Sequence, residues 1–191
     1  MRRNVGLFLS FLAVAVSLLA PPALACVGKT LVIGADRTPR SRFVAQVLAI
    51  LINERTGTTV KIAEFTDAEA VHRALASGEA DIAVEYASRA LSRLGLPAAA
   101  DAEEALRAAR AAYQEKLNLT WLPPLGFTDS GDGRAVAAPV ARKDTLKKFP
   151  ALPRLIAKTE GVLPDGLLAT LAEKGDPART AREFLRGKKL I

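Results

Sequence analysis

The sequence of 191 residues holds one cysteine, one histidine and one tryptophan, and aromatics make up only 5% of it. A single cysteine, Cys26, cannot close an internal disulfide. The histidine, His72, has no second histidine and no nearby cysteine, whereas a metal site needs three or four ligands. There is no Ser/His/Asp or Cys/His constellation, no phosphate-cradling glycine loop and no dinucleotide fingerprint. These absences argue against hydrolase, transferase and metal-centred chemistry, so neither enzyme activity nor a cofactor is expected. Scarce aromatics and the lack of a long Lys/Arg run also argue against nucleic acid. The net charge of +7 is spread over 27 basic and 20 acidic residues and reads as a solvated surface.

Long apolar runs are lacking too, except at the N-terminus. Arg2 and Arg3 precede the apolar stretch Val5–Ala20, Pro21 and Pro22 break it, and Ala23-Leu24-Ala25 is a small-x-small cleavage site. The stretch is shorter than the about 20 residues of a comfortable membrane span. Residues 1–25 therefore read as an export signal, and 26–191 as one exported domain. Cys26 follows the cleavage site directly. It is either a lipid-modified N-terminal cysteine, anchoring the chain, or a free or structural thiol left by plain cleavage.

What is present is a regular alternation. Thr30–Ala35 is a short apolar run ending at a buried strand's usual length, and Thr38-Pro39 is a helix cap with proline at the first position. Phe43, Val44, Val47, Leu48, Leu51 and Ile52 recur at helical period, predicting one core-facing stripe, and Gly57 ends the helix. Val60–Phe65 alternates as a strand. Asp67 caps a helix that Gly78 stops, and Asp81–Glu85 is a third strand running into a helix over Ala87–Leu94. This β-α-β-α-β order, with helical crossovers, predicts parallel strands and helices on both faces. Asp101 and Glu104 make a capping box before a long helix. A brief strand is expected within Trp121–Phe127. Thr128–Arg134 is turn-rich, and Pro139 places the strand Ala135–Ala141 at a sheet edge or a strand end. The remainder reads as helices near 150–159, 164–174 and 176–186. The fold class is α/β, with a mostly parallel sheet of about five strands. Tyr113 and Trp121 read as core.

Several runs, taken together, resemble the substrate-binding proteins of quaternary-amine ABC transporters, which take glycine betaine, choline or carnitine. The segment GEADIAVEYASRAL (78–91) is similar to a family segment reading G-E-x-D-hydrophobic-x-x-E-Y-T-G-x-A-L. RTGTTVKI (55–62), AYQEKLNLTWLPPLGF (112–127), APVARKDTLKKFPAL (138–152) and DPARTAREFLRGKKLI (176–191) follow in family order. The resemblance implies a periplasmic type II binding-protein fold, in which two lobes close on a ligand. Here residues 128–134 stand where the second lobe would be inserted, so the resemblance implies a single lobe. It also implies an ABC permease as partner. A quaternary ammonium has no N–H and is held by aromatic faces. By resemblance Tyr86 matches the cage tyrosine of the first lobe. The tyrosine expected after LGF falls at Gly131, and a Lys and a Gln of the family pattern fall at Asp36 and Ser41.

Ligands of open α/β sheets sit beyond the strands' carboxyl ends. That rule, with the resemblance, selects Asp36, Arg37, Ser41, Thr66, Tyr86 and Ser88 as ligand-binding candidates. Arg37, Arg40 and Arg42 cluster at a helix start. They suit a small anion, an acidic patch on a partner, or a solvated loop. Asp129 and Asp132 miss the spacing of a calcium loop. Two functions remain open. One is an exported solute-binding component or accessory of a quaternary-amine-type importer, whose missing wall comes from the permease or a homodimer. The other is a periplasmic interaction module that kept the lobe and lost small-molecule binding.

Overall fold

The computed structural model describes residues 30–128 and 135–191. Residues 1–25, expected to be an export signal, Cys26, and residues 129–134 with Asp129, Gly131 and Asp132 lie outside the described residues.

Strand β1 (Leu31–Asp36) leads into helix α1 (Pro39–Thr56). Thr38 caps the helix by accepting the Ser41 N–H at 3.2 Å, and Gly57 ends it at φ +67°, where a Cβ would be strained. Then come β2 (Val60–Phe65) and α2 (Ala68–Ser77), the latter capped by Asp67, which accepts the Ala70 N–H at 2.8 Å. Strand β3 (Ile82–Tyr86) passes directly into α3 (Ala87–Arg93). Helix α4 (Ala102–Leu117) has the expected cap: Asp101 accepts the Glu104 N–H at 2.8 Å, while the Glu104 carboxylate reaches back to the Ala100 N–H. Two strands, β4 (Leu119–Trp121) and β5 (Ala137–Arg142), are followed by α5 (Lys143–Lys148), α6 (Leu152–Ala157), α7 (Asp165–Ala172) and α8 (Pro177–Gly187).

The five strands form one sheet in the order β2-β1-β3-β5-β4. Pairings β1–β2 and β1–β3 are parallel, and β5 runs antiparallel to both β3 and β4. Strands β1, β2 and β3 are parallel, as the crossover lengths predicted, and β4 shares their direction because β5 runs against both β3 and β4. Because β1 lies between β2 and β3, the first crossover leaves on one side of β1 and the second returns on the other. Right-handed connections then put α1 and α2 on opposite faces.

Each face has its own core. On one, Leu31, Ile33 and Ile82 pack with Phe43, Leu48 and Leu51 of α1, and with Leu155, Leu168 and Leu185 from the C-terminal helices. On the other, Ala83, Ala138 and Val140 meet Val71, Leu75, Leu91, Tyr113 and Trp121. The alternation Ile82/Ala83 along β3 sends neighbours to opposite faces.

Four readings are corrected. Helix α1 is not buried along one stripe: from Phe43 to Ile52 every residue except Gln46 is buried. The reason is that α6, α7 and α8 cover its outer side, so α1 is an internal helix between sheet and outer layer. Pro139 lies inside β5, between two neighbours, not at an edge or end. Its carbonyl accepts the Leu122 N–H at 2.8 Å, so its nitrogen faces the same neighbour, beyond the point where β4 stops at Trp121. The missing N–H thus falls where the ladder has already ended. The brief strand is Leu119–Trp121, ahead of the expected span, because Pro123 and Pro124 cannot donate to it. The C-terminal third has a further helix, α5, and shorter ones around it.

Candidate functional site

A cleft opens at the sheet's switch point, where β1 and β3 diverge at their carboxyl ends. Open α/β sheets bind ligands at such points. Its walls are Asp36, Thr38, Arg40 and Ser41 from the β1–α1 turn, Glu85 and Tyr86 from the end of β3, Arg89 and Arg93 of α3, and Phe127. The cavity volume is about 50 Å3. A water needs about 10–15 Å3 on that measure, so the enclosed part holds a few waters rather than a whole organic ligand.

The turn is locked by its own polar atoms. Asp36 Oδ1 accepts both the N–H and the hydroxyl of Thr38, at 2.8 and 2.6 Å, and the Asp36 N–H donates to Ser41 Oγ at 3.0 Å. Tyr86 and Phe127 meet edge to face, with ring centroids 6.2 Å apart and planes at 72°. Over these rings stand two guanidiniums: Arg89 is 5.0 Å from the Tyr86 centroid, and Arg40 is 5.8 Å from that of Phe127. Arg40 is itself fixed by Asp165 at 2.9 Å and by the Thr128 carbonyl at 3.3 Å. Asp165 also accepts the Thr128 hydroxyl at 2.8 Å, tying the outgoing chain to α7.

Beneath the cleft lies a buried ionic network. Glu85 is 5% exposed, and its carboxylate accepts the Tyr113 hydroxyl at 2.6 Å and Arg93 Nη1 at 2.9 Å. His72 Nδ1 lies 2.8 Å from its other oxygen. Arg93 also makes a two-pronged bond to Glu69, at 2.7 and 3.0 Å. Burial, and then the Glu85 charge, push the Tyr113 phenol far above its ordinary value, so it stays protonated and donates. Burial alone would lower the Arg93 pKa, but the Glu69 hydrogen bond and the Glu85 charge outweigh it and hold the guanidinium charged. The Arg93 hydrogen bond in turn holds the Glu69 carboxyl below the usual range. His72 therefore serves as a partner for Glu85. Among the described residues there is no group of three or more candidate metal ligands.

Of the sequence candidates, the fold brings Asp36, Ser41 and Tyr86 together in the cleft. Arg37 and Thr66 are exposed and lie outside its lining, and Ser88 lines a separate depression with Ser92 and Leu96. Sequence reasoning did not select Glu85, Arg89, Arg93 or Phe127. The dipeptide Glu85-Tyr86 was the available signal: adjacent strand residues face opposite sides, so Glu85 turned to the buried network with Tyr113 and Tyr86 to Phe127, and the cleft lies between them. The spacing from Glu85 to Arg93 spans a strand end and a helix, and follows no single period.

The model of the substrate-binding domain of ABC-type glycine betaine transport systems matches residues 29–132. The chain belongs to this family. All six candidate ligand residues fall inside the matched stretch. A carnitine transport binding protein, OpuCC, from Listeria monocytogenes is 33% identical over 123 residues. That match covers 63% of this chain and 38% of the relative, so the chain spans about two fifths of the relative's length. A crystal structure described as a glycine betaine/carnitine/choline ABC transporter superposes with a TM-score of 0.77 at 17% identity, over 84% of this chain and 99% of the other. Ligand-free YehZ from Escherichia coli gives 0.75 at 13%, over 86% and 100%. These two show the fold, that of the periplasmic binding proteins of type II. The family is one of substrate-binding transport proteins and not of enzymes.

Proposed function

We propose that this protein is an exported solute-binding component, or accessory, of a quaternary-amine-type ABC importer, and that it binds ligand at the switch-point cleft with Tyr86 as its aromatic face. The observation that carries this reading is the meeting of Tyr86, Phe127 and Asp36 at the carboxyl ends of β1 and β3. Aromatic faces attract a cation that cannot hydrogen-bond, and Asp36 adds a negative charge at the turn. Ser41 belongs to the same wall, while Arg37, Thr66 and Ser88 flank it and would meet only a ligand that extends past the enclosed part.

Residues 1–25 direct export in this reading, and Cys26 either carries lipid or remains a thiol. The domain is a single lobe, with 128–134 in place of the second. One aromatic face contributes on the order of 0.5–2 kcal/mol toward a cation, too little for tight capture, so the other wall comes from the permease or from a second copy. The alternative, an interaction module working through the arginine loop, is disfavoured because Arg40 and Arg42 are engaged within the chain by Asp165 and Glu64.

Calorimetry with glycine betaine, choline and carnitine, with and without the permease, tests the proposal. Weak heat from the chain alone, strengthened by the permease and abolished by Tyr86→Ala, is expected. No heat at millimolar ligand in either setting would overturn it.

A further inference from the structure

The two ends of the sheet hold their basic residues differently. At the cleft end, Arg40 pairs with Asp165, Arg42 with Glu64, and Arg93 with Glu69 and Glu85. At the other end, residues 142–158 run along the edge where β1 and β3 begin. Strand β5 delivers Arg142 there, since Ala141 pairs with Ile82 at the start of β3. The Thr145 hydroxyl then donates to Asp81, just ahead of β3, at 2.8 Å. Further on, Ala151, Arg154 and Lys158 border a depression with Arg55 and Thr56 at the end of α1. Lys143, Lys148, Arg154 and Lys158 are exposed, and no acidic side chain among the described residues pairs with them. The one acid of the segment, Asp144, is taken by Lys147 at 3.1 Å. Arg142 has a structural task, donating to the Leu75 and Ala76 carbonyls at the end of α2.

We infer that this basic edge is a docking surface for an anionic phospholipid membrane. Its unpaired charges complement a layer of anionic headgroups, and each lysine or arginine near such a layer is drawn to it. A protein partner fits less well, because protein interfaces are anchored on buried apolar and aromatic residues. Here Leu146 and Phe149 turn inward and pack against the core, as do Leu152, Leu155 and Ile156. The edge therefore offers charge without a large apolar anchor. The chain also enters the sheet on this side: Leu31 begins β1 here, its N–H donating to the Thr59 carbonyl at 2.9 Å. Residues ahead of Thr30 thus join the molecule at its basic edge, and a lipid on Cys26 would draw that same edge to the bilayer. With this edge on the membrane, the cleft at the strands' carboxyl ends is turned away from the bilayer and stays open to solution. The inference is independent of which ligand the cleft takes.

The test uses residues 26–191, which contain every described element, with Cys26→Ser so that no lipid anchor contributes. Co-sedimentation is measured with phosphatidylcholine vesicles, with and without phosphatidylglycerol. Binding is expected only where phosphatidylglycerol is present. Raising NaCl from about 0.1 M to about 1 M shortens the screening length from about 10 Å to about 3 Å and should remove it. Each lysine neutralised should weaken binding roughly 5-fold, so Lys143→Gln, Lys148→Gln and Lys158→Gln together should weaken it on the order of 100-fold. These side chains are exposed, so the urea midpoint should match wild type. Arg107→Gln with Arg179→Gln, in the first halves of α4 and α8, should weaken binding far less, because both helices reach the basic edge only at their ends. Hydrogen exchange on vesicles should slow across 143–158 and stay unchanged at Asp36 and Tyr86. Equal binding to both kinds of vesicle, full binding by the triple lysine variant, or protection at the cleft instead would overturn the inference. Binding to polyaspartate but not to phosphatidylglycerol vesicles would also overturn it, and would assign the edge to an acidic protein.

Discussion

Replacing Arg93 by methionine removes a buried charge from a network and keeps most of the side chain's apolar length. The cost follows from what is left behind. Glu85 is 5% exposed and loses its contact with Arg93 Nη1 at 2.9 Å, while Tyr113 loses a bond of 2.8 Å from the same nitrogen. An uncompensated buried carboxylate costs about 3–5 kcal/mol. His72 and the Tyr113 hydroxyl still contact Glu85, which places the cost at the lower end, about 3 kcal/mol. The Glu69 side chain is 59% exposed, so its share is below about 1 kcal/mol. Urea denaturation with an m-value of about 2 kcal/mol/M would then show the midpoint falling by about 1.5 M. Glu69→Gln should cost less than about 1 kcal/mol, and the double variant Arg93→Met with Glu85→Leu should recover much of the loss, since removing both partners leaves no orphaned charge. A midpoint for Arg93→Met within 0.3 M or so of wild type, at unchanged m, would refute the claim that Glu85 is a buried carboxylate held by Arg93.

Further outcomes follow from single features. Gly126 has φ +105°, and a Cβ there would stand 2.8 Å from the Gly161 Cα, so Gly126→Ala should destabilise by about 2 kcal/mol or more in the same urea assay, whereas Ala at the open Gly166 should change little. Removing the α2 cap with Asp67→Ala should cost about 1 kcal/mol, detectable as lost amide protection in the first turn of that helix. Because Arg93 depresses the Glu69 pKa, the stability it contributes is present above the ordinary value of 4.5 and is lost as pH falls below it; melting scans should show Glu69→Gln flattening that acid limb. Tyr113, whose pKa is raised, acts at the other end. Its contribution holds below pH 10 and is lost as pH climbs past it, so Tyr113→Phe should flatten the alkaline limb.

Much of the fold was legible in the chain because its signals are local. Caps at Thr38, Asp67 and Asp101, and glycine stops at 57 and 78, marked both ends of the first two helices and the start of the long fourth one before any tertiary contact was considered. Where an element depends on what packs over it, the reading failed. Helix α1 looked one-sided because α6–α8, which bury its other side, come more than 90 residues later. Pro139 looked like an edge marker, since only the register with β3 and the end of β4 reveals that its missing N–H is harmless. The cleft divided in the same way. Asp36, Ser41 and Tyr86 were reachable from strand ends, whereas the guanidiniums over the rings depend on rotamers and on Asp165, which no spacing rule joins to Arg40.

In the proposed function, ligand meets the chain where β1 and β3 part, on the Tyr86 ring. An NMR titration of the isotope-labelled chain with choline tests it most directly. Millimolar-range shifts concentrated at Asp36, Ser41, Tyr86 and Phe127, and absent in Tyr86→Ala, are expected. Shifts gathered instead at the opposite end of the sheet, around Asn118 and Lys143, or persisting unchanged in Tyr86→Ala, would contradict it.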